Sequence, residues 1–113
     1  MSINKDLVAA SATPLILSIL SEGESYGYAI IKHIRRLSGG EIKWTDGMLY
    51  PLLHRLEDQG LIQSRERVAE SGRIRRYYRI KKKGAKTLEK QRSQWAVVYS
   101  TLRKVWRNKP CLT

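Results

Sequence analysis

The chain has 113 residues, 42% of them hydrophobic, which suffices for one compact core and not for two. With 22 Lys and Arg against 10 Asp and Glu the net charge is +12, so the expected partner is a polyanion. No apolar run approaches the roughly 20 residues of a membrane span, and the start around Lys5 and Asp6 lacks the layout of a secretion signal.

The only cysteine, Cys111 beside Pro110, has no internal disulfide partner and is expected to be an exposed reduced thiol in a cytoplasmic protein. The charge is unevenly placed. Residues 1–61 hold 6 basic and 7 acidic side chains, residues 62–92 hold 12 and 3, and residues 93–113 add 4 basic ones. The basic excess is therefore a local footprint that peaks in one short stretch.

Leu7, Val8, Leu15, Ile16, Ile19 and Leu20 fall close to helical spacing and predict a first helix over residues 5–21, kinked or interrupted at Pro14 and ended by Gly23. Ser25 is the expected cap of a second helix reaching Leu37, with Tyr26, Ala29, Ile30 and Ile34 on one face. Ser38-Gly39-Gly40 forces a turn. Thr45 then caps a third helix carrying a stripe of Leu49, Leu52, Leu53 and Leu56, which Pro51 kinks without breaking and Gly60 stops. Its other side presents Thr45, Asp46, Gly47, Tyr50, His54 and Arg55, and Glu57-Asp58 reads as its solvated end.

After Gly60 the period falls to two. Residues 61–67 and 74–80 read as the strands of a hairpin turning at Ser71-Gly72. Ile74, Tyr78 and Ile80 should pack on the helices, which leaves Arg73, Arg75, Tyr77 and Arg79 as a cationic ribbon. From Lys81 the chain returns to helix, with Gly84 an early weak point. Leu88, Trp95 and Leu102 recur every seven residues, and Gln91, Val98 and Val105 fill the intervening position. Such a seam takes a partner helix or folds back on its own domain.

Helix, helix, helix, two-stranded wing, helix is the order of a winged helix-turn-helix, a mostly α fold with a two-stranded β wing. The expected units are a DNA-binding domain over residues 1–80 and a dimerisation helix with its tail over 81–113. A helix in the major groove meets distinct base edges, and Thr45, Asp46, Gly47, Tyr50 and His54 would face them. Asp46 serves equally well as a partner of the helix dipole. Lys32, Arg55, Arg73, Arg75 and Arg76 would contact phosphates.

His33 and His54 are too far apart for a metal site, and no nucleophile, triad spacing or phosphate-cradling loop is present, so no metal, cofactor or catalysis is expected. Two rival classes use the same charge. A basic protein binding nucleic acid without sequence preference would not need a leucine-backed third helix with a small-residue head. A peripheral membrane protein would rely on the weak cationic face of Arg103, Lys104 and Arg107.

Three stretches carry a family resemblance. Residues 26–32, Tyr-Gly-Tyr-Ala-Ile-Ile-Lys, residues 47–62 from Gly47 through Tyr50-Pro51 to Leu61-Ile62, and residues 71–80 from Ser71-Gly72 to Ile80 resemble the second helix, third helix and wing of PadR-like regulators, the phenolic acid decarboxylase repressor family. The resemblance spans about residues 7–107. It implies a homodimer bound to double-stranded DNA, a repressor by default, with an inverted-repeat operator and no membrane partner. The single last helix is similar to that of the family's smaller subgroup, in some members of which planar aromatic or cationic effectors stack between subunits on a tryptophan. Trp95 stands at the matching place, where it serves equally as part of a dimer seam with Leu88, Val98, Leu102 and Val105. Lys81-Lys82-Lys83 occupies a place where most members have Thr, and would extend the phosphate footprint.

Overall fold

The computed structural model describes residues 3–108, so Cys111 lies outside the described residues. Helix α1 (Lys5–Ser21) begins at Asn4, whose side-chain oxygen accepts the amide N–H of Asp6 at 2.8 Å and of Leu7 at 3.4 Å. Those bonds satisfy two of the donors every helix start leaves free. The helix runs through Pro14 and buries Ala12, Ile16, Leu17, Ile19 and Leu20.

The next residues depart from expectation. Ser25–Tyr26 form a short strand, β1, antiparallel to a later one, and helix α2 (Gly27–Leu37) begins only at Gly27. Ser25 is therefore not a cap, because the backbone here is committed to a ladder and the cap position falls on extended Tyr26. Ile30 and Ile34 are buried as the periodicity requires, while Tyr26 stands outside the helix.

Helix α3 (Asp46–Asp58) follows Thr45, whose carbonyl accepts from Met48 and Leu49 but whose hydroxyl makes no capping bond. Leu49, Leu53 and Leu56 are buried and the helix continues past Pro51. Its end is a Schellman motif. The Gly60 N–H donates to the Glu57 carbonyl at 2.9 Å and the Leu61 N–H to the Leu56 carbonyl at 3.0 Å. Gly60 sits at φ +75°, a region glycine enters without strain.

Strands β2 (Ile62–Val68) and β3 (Ile74–Ile80) form the expected hairpin, and β1 adds a third strand in the order β1-β3-β2. Ile62 and Tyr78 are buried against the helices. Ile74 is not: it and its cross-strand partner Val68 are each 68% exposed. Alternation assigns Ile74 to the inner face correctly, but at the distal end of the hairpin no helix lies beneath that face.

Helix α4 (Lys82–Asn108) passes through Gly84 without interruption. Leu88 is buried in the chain's own core and Trp95 is half-buried. From Ala96 through Arg107 every side chain is exposed. No helix among the described residues is long and apolar enough to cross a membrane.

Candidate nucleic-acid interface

Four of the sequence-predicted residues are brought together at one place, the concavity between the wing and the head of α2. Tyr50, Arg73, Arg75 and Arg76 line it with Ile74, Tyr26, Gly27 and Tyr28, and its volume is about 440 Å³. Gly27 makes this possible. A Cβ there would collide with the Tyr50 hydroxyl and lie 2.8 Å from its Cζ, so the glycine lets the phenol rest on the first turn of α2.

Each arginine is held differently. The Arg75 guanidinium lies 4.4 Å from the centroid of the Tyr26 ring. Tyr26 meets Tyr77 edge-on at 5.4 Å, and Arg67 stacks 4.0 Å over Tyr77 from the other side. This is the cationic ribbon of the wing's outer face, with Glu24 paired to Arg67. Cation–π stacking fixes guanidinium planes while leaving their N–H edges to solvent. Arg76 points to the inner face, where Nη1 donates to the Ser64 hydroxyl at 3.1 Å and Nη2 is 3.6 Å from Glu66.

Glu57 is part of the same arrangement and is not a solvated helix end. Half-buried, its Oε2 accepts the Ser64 hydroxyl at 2.7 Å and the Ser64 amide at 3.2 Å, which ties α3 to the wing through the residue that also receives Arg76. Replacing Glu57 with Ala is expected to lower stability by about 1–2 kcal/mol, the net worth of two hydrogen bonds to a partly buried carboxylate. Thermal unfolding measures it, and an unchanged midpoint would show that water replaces the carboxylate at no cost.

The remaining residues scatter around this centre. Asp46, Gly47 and His54 are exposed on the side of α3 that carries Tyr50, with Thr45 exposed just ahead of them, and a Cβ at Gly47 would meet nothing nearer than Thr45 Oγ1 at 3.8 Å. Lys32 is exposed on α2 with its ammonium 5.3 Å over the Tyr28 ring. Arg55 stands apart, on another flank of α3, where it borders an apolar groove shared with α1. Lys83 donates to the Gln59 carbonyl at 2.9 Å and so holds the end of α3. Tyr26 and Tyr28 were not singled out as site residues from sequence, although two tyrosines flanking a glycine at a helix start are a visible signal. Burial pushes the Tyr78 phenol up from its ordinary value, next to Tyr50, so beneath the concavity it stays neutral.

Two packed helices in series followed by a basic antiparallel wing define a winged-helix nucleic-acid-binding protein. Residues 16–90 match the model of the transcriptional regulator PadR-like family, and the chain belongs to that family. Its members are DNA-binding regulators of transcription, not enzymes. The chain is 39% identical over 80 residues to the transcriptional regulator YqjI of Escherichia coli, a match covering 71% of this chain and 37% of YqjI. It thus spans little more than a third of that relative. A transcriptional regulator from Clostridium thermocellum superposes with a TM-score of 0.81 at 33% identity, covering 90% of this chain and 96% of the other. A PadR-like regulator from Bacillus cereus gives 0.80 at 28% identity over 89% and 96%.

Proposed function

We propose that this protein is a sequence-specific repressor that binds an inverted-repeat operator as a homodimer. The observation that carries this reading is the shared concavity of Tyr50, Arg73, Arg75 and Arg76, which sets a base-reading helix and phosphate-holding arginines side by side. On this reading Tyr50, His54, Thr45, Asp46 and Gly47 face base edges, and the wing arginines with Lys32 hold the backbone. Two copies would place their third helices in successive major grooves, about 34 Å or a multiple apart, and block polymerase.

The seam of α4 supports the dimer. Val98, Leu102 and Val105 are exposed at its repeat positions. Trp95, half-buried between body and seam, is the platform on which a planar aromatic effector would stack, and it must favour one inter-subunit angle to change DNA binding.

Selection of bound duplexes from a random library at low and near-physiological salt tests the reading. An enriched inverted repeat that survives the higher salt is the expected result. Binding without enrichment, lost as salt rises, would leave a basic protein without sequence preference. Tyr50→Ala is expected to relax the enriched sequence while leaving the salt dependence intact. Equal weakening on all sequences would remove Tyr50 from base readout.

A further inference from the structure

The basic surface does not stop at the concavity. Tyr78 is buried, so alternation puts Arg65 and Arg67 of β2 with Arg75, Tyr77 and Arg79 of β3 on the sheet face turned away from the helices. The register sets Arg67 opposite Arg75 and Arg65 opposite Tyr77, so the guanidinia stand in two rows on adjacent strands. Along β2 the step from Arg65 to Arg67 is about 6.7 Å, comparable to the step between neighbouring phosphates on one DNA strand.

Two hollows mark this face. One, of about 520 Å³ near the tip, is bordered by Arg67 and Arg75, and the other, of about 100 Å³, by Arg65 and Arg79. Tyr77 lines both, and Arg75 also lines the concavity beside Tyr50. The three basins are therefore neighbours, joined by shared side chains. Arg67 and Arg75 lie on tyrosine rings, which fixes their planes in advance. Two carboxylates oppose them. Glu24 pairs with Arg67 and lies 4.0 Å from Arg65, and Glu70 borders the tip hollow. Four guanidinia against two carboxylates leave the face cationic.

We propose that this outer face holds the phosphate backbone of the same duplex just outside the stretch read by α3, with Glu24 as a stand-in anion that the phosphates displace. The inference rests on the DNA-binding reading above and extends its footprint. Continuity favours this occupant over an acidic protein: a strand leaving the concavity past Arg75 meets the outer face next. Flanking DNA is also tethered to the bound site, so it reaches the face at a high effective concentration. A regular row of guanidinium forks fits successive phosphates. The flank must bend toward the wing, and a duplex that ends at the repeat cannot make the contact.

The test uses the full chain and two duplexes, the enriched repeat alone and the same repeat with ~10 bp, about one turn, added at each end. Fluorescence anisotropy across a salt series reads both. The flanks are expected to tighten binding at least about 5-fold at low salt and to steepen the log–log slope by about 2 per copy. The Arg65 side chain is 66% exposed, so Arg65→Ala keeps the fold. It is expected to bind the trimmed duplex like the unmodified chain, and to lose about 3-fold on the extended one with a slope shallower by about 0.9 per copy. Glu24→Gln is expected to bind the extended duplex about 3-fold tighter and the trimmed one unchanged. Flanks that add nothing while the repeat is still bound would overturn the proposal and leave the proposed function standing. Polyglutamate that then binds the unmodified chain but not Arg65→Ala would name an acidic protein segment as the occupant instead. Equal tightening by flank segments supplied as separate duplexes would hand the face to a second DNA molecule. Without an enriched repeat, the proposed function and this extension of it fall together.

Discussion

Gly84→Ala is expected to destabilise the protein by about 3 kcal/mol, the upper range for overpacking a core site, and to lower the melting temperature by roughly 10 °C or more. At an ordinary interior helix position the same change would stabilise by about 1 kcal/mol, because alanine loses less backbone freedom. Surroundings decide the sign. A Cβ at Gly84 would fall inside the van der Waals envelope of the Leu61 carbonyl oxygen and lie 2.9 Å from Ile80 Cγ1. The carbonyl has nowhere to go. It accepts the Lys81 N–H at 2.9 Å, while the Leu61 N–H closes the Schellman motif of α3. Moving Leu61 therefore disturbs the end of α3, the start of β2 and the entry to α4 together. A Gly84→Ala variant as stable as the unmodified chain, by thermal or urea unfolding, would mean that α4 can slide along the body.

The second large effect belongs to the wing. The triple variant Arg73→Ala/Arg75→Ala/Arg76→Ala is expected to lose at least about 100-fold in affinity on every DNA sequence at low salt, with the log–log salt slope shallower by about 2–3. Each phosphate contact contributes close to 0.9 to that slope, so the change in slope counts the contacts removed. The fold should survive, since Arg73 and Arg76 are exposed and Arg75 rests on a ring that keeps its Tyr77 contact. Fluorescence anisotropy across a salt series supplies both numbers. A loss confined to one sequence with an unchanged slope would move these arginines from backbone to base contacts.

The sequence makes the local features legible. The leucine stripe of α3 and the glycine at its end are short-range signals, and both elements lie where spacing puts them. Pro51 could be discounted because Leu52, Leu53 and Leu56 continue the stripe beyond it. What escaped depends on distant partners. Two residues cannot display a period, so β1 carries no strand signal, and Ser25 reads as a cap until Tyr78 is known to lie beside it. Ile74 belongs to the right face of β3, yet alternation does not say where the body beneath that face ends. Gly84 looks like a weak point in a helix because the carbonyl that excludes a side chain comes from Leu61, 23 positions earlier. Arg55 is different: five residues after Tyr50, it is turned about 140° away at 3.6 residues per turn, which the sequence already contains.

The pairing of Ser25 with Tyr78 also bears on the order of events in folding. It closes a loop of roughly 50 residues, at an entropic cost near 3–4 kcal/mol, in return for a two-residue ladder. So short a strand does not nucleate. It forms once α2 and the hairpin have already met, and it is the natural place for the molecule to open first. The Tyr26–Arg75 side of the concavity depends on it, so the last contact made in folding completes the surface proposed to face DNA. Mild denaturant should therefore silence the regulator before its helices begin to melt.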